Sequence, residues 1–339
     1  MEQVYNLLGK KQALDIKAIT LPFTTAALSI LANDAMIPGA TPSGAYSFCP
    51  DWSTLRAGPI DGHVSCYGEF QELDGSPSSL CPRTLLRKVL EKAATQGTEF
   101  LIGFEIEFIA MDRSPDDQDS KYQTIRNDGH SWSASRVLAD WGREGSFSTA
   151  LDEIFDHLKA AGIIIEQLHA EAAPGQLSNR WLHVMDIGPQ STRSRGLTLA
   201  AQHRMLISRY PPRVAISRKS TNPSMQVLRN IPFYSDDSIS RAILAAGTDG
   251  ILNHIELSWG DLQGDPASLT ETERKDLGVT EMLPSNLEEA LGALGADERL
   301  VHLLNPVLAQ RYIDVKNAEI ALLTPMTAES RRQWILERY

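Results

Sequence analysis

Cysteine is scarce in this sequence: three residues in 339, at Cys49, Cys66 and Cys81, with no Cys-x-x-Cys pair. An odd set without metal-ligand spacing argues against a disulfide framework or a zinc knuckle and points to a reducing cytosol. The three thiols then read as buried or idle rather than catalytic. Aromatic residues are also few, at 7 %. Positive charge is short as well, with 32 Lys and Arg against 43 Asp and Glu and a net charge of −11. Such a chain is not built to hold a phosphate backbone, so nucleic acid is not an expected partner. Long apolar runs are missing. The most apolar early stretch, residues 19–32, is broken by Pro22, Thr24, Thr25 and Ser29, and is too short and too polar to cross a bilayer. Met1-Glu2-Gln3-Val4-Tyr5 shows no basic leader before an apolar core, so no secretory signal is expected. A cytoplasmic setting without a membrane partner is the expectation.

What is present suffices for a core. At 42 % apolar and 22 % charged, the composition is that of a folded globular chain. Residues 1–82 are rich in Gly, Pro and Ser around short apolar runs such as Val64-Ser65-Cys66-Tyr67, a texture of strands and turns. At Pro82 the texture changes. Leu85, Leu86, Val89, Leu90 and Ala93 fall at helical spacing, with Gly97 as the expected C-cap. Two domains are therefore expected, 1–82 and 83–339.

Residues 100–109, Phe-Leu-Ile-Gly-Phe-Glu-Ile-Glu-Phe-Ile, are too short for a typical helix and strongly β-forming. As a strand they place Phe104, Ile106 and Phe108 on one face, Glu105 and Glu107 on the other. A helix is expected over 149–161, ended by Gly162, and a strand over 163–171 that carries His169 and Glu171 on one face. Helices are further expected over 190–208, 238–246 (stopping at Gly247), 286–294, 298–304, 309–323 and 329–338, with an extended stretch over 213–229. The Glu105/Glu107 pair can hold hard cations through carboxylate oxygens, or can be an exposed acidic strand face. His169 and Glu171 likewise read as a ligand pair or as a solvated edge.

These residues stand within a longer ordered pattern. It runs through Pro50-Asp51-Trp52-Ser53-Thr54-Leu55-Arg56, Cys81-Pro82-Arg83-Thr84, Gly103-Phe104-Glu105-Ile106-Glu107-Phe108 and His169-Ala170-Glu171-Ala172-Ala173-Pro174-Gly175-Gln176. It continues through residues 243–251 and 283–291 and closes with Tyr312, Lys316 and Glu319. From about residue 45 onward the chain resembles glutamine synthetases of the long bacterial and fungal type. The resemblance implies an α+β fold: a small β-grasp-like N-terminal domain, then a larger catalytic domain around a mainly antiparallel sheet. It implies ATP as a substrate, with a glutamate-like acid and ammonium or an amine, and Mg2+ or Mn2+ as cofactor. Two divalent cations in that family offset charge on the phosphates and the transition state. Glu105 matches a ligand of the phosphate-side cation, and Glu107 and Glu171 match ligands of the substrate-side cation. Asp51 matches the aspartate that binds and deprotonates ammonium across a subunit boundary, which implies a homo-oligomer with shared sites. Arg213 looks like the arginine on the transferred phosphate, with Arg218 beside it on the nucleotide side.

The pattern also departs from the family. Two places beyond Gln176, where the family has another glutamate ligand, stands Ser178. Between Tyr210 and Arg213 the family's block with a Gly-x-x-His-x-His segment, a substrate arginine and a flap glutamate is missing, and residues 204–253 contain no histidine. Gln226 replaces a further ligand. Half of the expected cation ligands are thus absent, so metal binding is expected to be weak and turnover impaired. Three readings follow: a ligase of altered substrate, a non-catalytic relative used for binding or assembly, and an incomplete reading of a longer ligase. A metal-dependent hydrolase on the same carboxylates ranks behind them.

Overall fold

A computed structural model of the chain describes residues 20–57, 64–98, 100–109, 111–113, 122–124, 147–163, 165, 167–170, 176–185, 237–256, 268–279 and 284–338. The expected helix 190–208 and extended stretch 213–229 lie outside them. Three antiparallel strands come first: β1 (Leu21–Thr24), β2 (Ala45–Ala57) and β3 (Val64–Gln71), in the order β1-β2-β3. Helix α1 (Pro82–Ala94) follows. Pro82 opens it, and Gly97 at φ +70° lets the Thr98 N–H return to the Ala93 carbonyl and close its end.

Strand β4 (Phe100–Ile109) occupies the expected residues. The short pair β5 (Met111–Arg113) and β6 (Tyr122–Thr124) and helix α2 (Phe147–Ala160) come next. The expected strand 163–171 is shortened to β7 (Gln167–Ala170). The cause is local: Gly162 takes φ +81° and the Ile163 N–H bonds back to the Leu158 carbonyl, so Ile163 closes α2 instead of joining a ladder. Strand β8 (Gln176–Met185) then pairs antiparallel with both β4 and β7, giving the order β4-β8-β7.

Helix α3 (Asp237–Leu252) runs through Gly247 and Gly250 rather than stopping at the first. Buried Leu244, Ala245 and Thr248 hold its inner face, and that packing outweighs the roughly 0.5–1 kcal/mol that each interior glycine costs. Helices α4 (Glu271–Asp276), α5 (Leu287–Ala296), α6 (Glu298–Leu303), α7 (Pro306–Leu323) and α8 (Ala328–Arg338) complete the chain. Helices and antiparallel sheets together make the α+β class expected from the sequence.

Among the described residues two apolar cores form. In one, Leu308 and Val315 of α7 pack with Leu28, Tyr46 of β2 and Phe70 of β3. In the other, Val89 of α1, Leu151 and Leu158 of α2, and Leu244 and Ala245 of α3 enclose Leu177 of β8. Leu177 has no solvent exposure, Ala170 is buried and Leu168 packs against the same core. Positions 168, 170 and 177 therefore mark the inner face of the β4-β8-β7 sheet. By alternation, positions 105, 107, 167, 169, 178 and 180 share the opposite face.

This sidedness is testable. Leu177→Ala should lower unfolding free energy by about 2–5 kcal/mol, while Gln167→Ala on the exposed opposite face should change it by less than about 0.5 kcal/mol. Urea unfolding of both variants checks the contrast.

Candidate functional site

The best-defined polar corner is built around Asp51 on β2. The β2–β3 register shifts between Asp51 and Arg56. Buried Thr54 fills the irregularity, donating from Oγ1 to the Asp51 carbonyl at 2.6 Å and accepting the Tyr67 N–H at 2.8 Å. Ser53 closes a turn on the side chain: its hydroxyl donates to Asp51 Oδ1 at 2.6 Å and its N–H at 3.1 Å. The other oxygen, Oδ2, accepts from Arg83 Nη2 at 2.6 Å, with side-chain exposures of 28 % for Arg83 and 33 % for Asp51.

Arg83 stands in the first turn of α1, whose N-cap Cys81 offers no side-chain cap and whose first turn has no acidic residue. A cation there opposes the helix dipole, and Asp51 supplies the missing negative charge from the neighbouring sheet. The Arg83 guanidinium also lies 5.5 Å from the centre of the Tyr67 ring. Partial burial works against ionisation of Asp51, but the Ser53 hydroxyl and then Arg83 outweigh it, holding the carboxyl below its ordinary value. Burial and then the Asp51 charge push the neighbouring Cys66 thiol up, which disfavours a reactive thiolate.

The second element is the polar face of the β4-β8-β7 sheet. Register aligns Glu105 with Arg180 and Gln167 in one row, and Glu107 with Ser178 and His169 in the next. The sequence suggests that the strands bearing Glu105, Glu107 and Glu171 are neighbours, an expectation that reaches beyond the described residues at Glu171; among the described strands β8 lies between β4 and β7. The reason is connectivity: β7 and β8 are separated by only five residues and form the hairpin, which puts Ser178 in the middle. Glu171, Arg213 and Arg218 lie outside the described residues, and Glu105 and Glu107 are placed by their backbone. Among the described residues no three His, Cys, Asp or Glu side chains form a metal-binding group. No helix among them is long and apolar enough to cross a membrane.

Sequence reading selected Asp51 but not Arg83. A usable signal was present: an arginine directly after a helix-opening proline, where the dipole favours an acid.

Comparison with known proteins gives a consistent result. A model of the glutamine synthetase catalytic domain matches residues 79–180 and 240–339, more than half of the chain. The chain is 27 % identical over 396 residues to protein fluG of Emericella nidulans, covering 94 % of this chain and 45 % of that protein. It is 32 % identical over 132 residues to a glutamate–isopropylamine ligase of a Pseudomonas species, covering 38 % of this chain and 27 % of that protein. The chain thus spans less than half the length of these curated relatives. The fluG match runs over 396 residues, more than the 339 of this chain, so that relative carries residues inside the matched span with no counterpart here. In structure the chain is similar to a crystal structure of a glutamine synthase homolog, with a TM-score of 0.60 at 16 % identity, covering 99 % of this chain and 94 % of that one. At that identity the likeness shows the fold.

The Asp51–Arg83 pair makes a pH-dependent contribution to stability. A carboxyl held below its unfolded value stabilises the fold above that value, about 3.9 for Asp, and ceases to do so as pH falls through the lower folded value. Asp51→Asn should therefore cost roughly 0.2–1 kcal/mol at pH 7, as for a partly exposed pair, and progressively less below about pH 3.9. Urea unfolding of both proteins at pH 7 and pH 3 checks this; an equal difference at both would contradict it.

Proposed function

This chain belongs to the glutamine synthetase family, and on that premise we propose that it carries a carbon–nitrogen ligase fold with little capacity to make glutamine. One observation supports the reading above the others. On the polar sheet face Ser178 occupies the middle of the row between Glu107 and His169, at the position where the sequence pattern calls for a carboxylate.

In this reading ATP, a glutamate-like acid and ammonium or an amine are the substrates. Asp51 serves the amine: its carboxylate is kept ionised and fixed by Ser53 and Arg83, so it can hold an alkylammonium cation. The Pseudomonas relative, a glutamate–isopropylamine ligase, supports an amine larger than ammonia. Glu105, Glu107 and Glu171 would hold Mg2+ or Mn2+, which suit oxygen donors. Such a cation supplies charge compensation on phosphate oxygens when bound. Arg213 and Arg218 would contact phosphate. Asp51 would serve a site shared with a second copy in a homo-oligomer. The division into 1–82 and 83–339 is retained, supported by a catalytic-domain match that begins at residue 79. A cytoplasmic setting is supported by the three free thiols.

A non-catalytic role in binding or assembly is the second reading, favoured by the lapse of the family match between residues 180 and 240. Should the message across codons 205–215 contain a further in-frame exon encoding His-x-His, the chain is an incomplete form of a longer ligase.

The activity test is direct. Loss of one charge-stabilising contact costs about 2.7–4 kcal/mol of transition-state stabilisation, and several are lost here. Glutamate, ammonium and magnesium-ATP should therefore give little or no glutamine or γ-glutamyl transfer. A robust ATP-dependent rate that disappears in Glu171→Ala would overturn the impaired-ligase reading.

A further inference from the structure

Asp51 stands directly opposite Tyr67 in the β2–β3 ladder, so the two side chains share one face with Cβ atoms about 4.5–5.5 Å apart. An ionised carboxylate offers about four lone-pair positions to donors. Among the described residues three donors already reach this one: the Ser53 hydroxyl and N–H at Oδ1, and Arg83 Nη2 at Oδ2. About one position is left, on Oδ2. Arg83 also balances the charge. Its guanidinium keeps its proton at every physiological pH, meets the carboxylate at 2.6 Å and stands 5.5 Å from the centre of the Tyr67 ring.

We propose that Arg83 is a specificity residue for the amine, making the Asp51 corner take an alkylated ammonium ion in preference to ammonium itself. The inference rests on the reading that Asp51 serves the amine. Ammonium is a small, strongly hydrated cation with a donor on every side. Leaving water for a corner with one open acceptor and no net charge strands its remaining donors, each at a desolvation cost. An alkylammonium has fewer donors to satisfy. Its carbon substituent gains from contact with the Tyr67 ring, which already packs against the apolar core around Leu177. Arg83 acts in two ways here. It occupies an oxygen of Asp51, and its charge opposes any incoming cation, which penalises most the ion that relies on charge alone. Ser53 acts in one way, through acceptor capacity.

Calorimetric titration of the full chain with ammonium chloride and with isopropylammonium chloride, at neutral pH and constant ionic strength, tests this without turnover. The native chain should bind isopropylammonium at least about tenfold more tightly than ammonium. Arg83→Gln should raise ammonium affinity at least about threefold and narrow the preference. A merely structural role for Arg83 would instead weaken both ions together. Arg83→Lys keeps the charge and should keep the preference, while Asp51→Asn should abolish binding of both ions. Thermal melts establish that each variant folds. Where Arg83→Gln does not, Ser53→Ala frees a position on Oδ1, leaves both charges in place and should likewise raise ammonium affinity. Asp51-dependent binding in which ammonium matches isopropylammonium, or a preference that Arg83→Gln leaves unchanged, would overturn this inference and leave Asp51 as the amine residue. No binding of either ion, or binding indifferent to Asp51→Asn, would overturn the assignment of Asp51 to the amine and this inference with it.

Discussion

Burial of one side of the β4-β8-β7 sheet is the constraint on which the candidate site depends. Leu177 has no solvent exposure and is enclosed by α1, α2 and α3. Because side chains alternate along a strand, fixing Leu177 inward fixes the face assigned to Ser178, and the ladder carries that choice to Glu107 and His169. A register slip of one residue would exchange the apolar and polar faces at the cost of the whole core. The site inherits its arrangement from that penalty.

Helix α1 ties this sheet to the Asp51 corner. Val89 sits in the core around Leu177, while Leu85 packs against the core that α7 forms with β2 and β3. Arg83 in its first turn reaches Asp51, and Arg87 one turn later reaches Glu69 of β3 at 3.0 Å. One helix thus sets where the Asp51 carboxylate lies relative to the polar face.

Much of the local structure was legible. The apolar–acidic alternation of residues 100–109 set both the extent of β4 and the separation of Phe104, Ile106 and Phe108 from Glu105 and Glu107. Pro82 and Gly97 marked the two ends of α1 closely. The departures are also physical. Gly247 and Gly250 weaken a helix only intrinsically, and the burial of Leu244, Ala245 and Thr248 carries α3 past both. Ile163 looks like strand by composition, yet its N–H closes α2.

The sequence by itself determined which residue types could carry chemistry: the paired glutamates, Asp51, His169 beside Glu171, and the serine two places after Gln176. It also determined the family, because an ordered set of short motifs survives where overall identity is low. Only the tertiary structure decided which of these positions stand opposite one another. Strand order places β8 between β4 and β7, so Ser178 is the register partner of Glu107 and Arg180 that of Glu105. Period-two alternation states which face a residue occupies but is silent on which strand lies beside it. Pairing is a long-range choice, settled by the burial of Leu177 and the short hairpin connection.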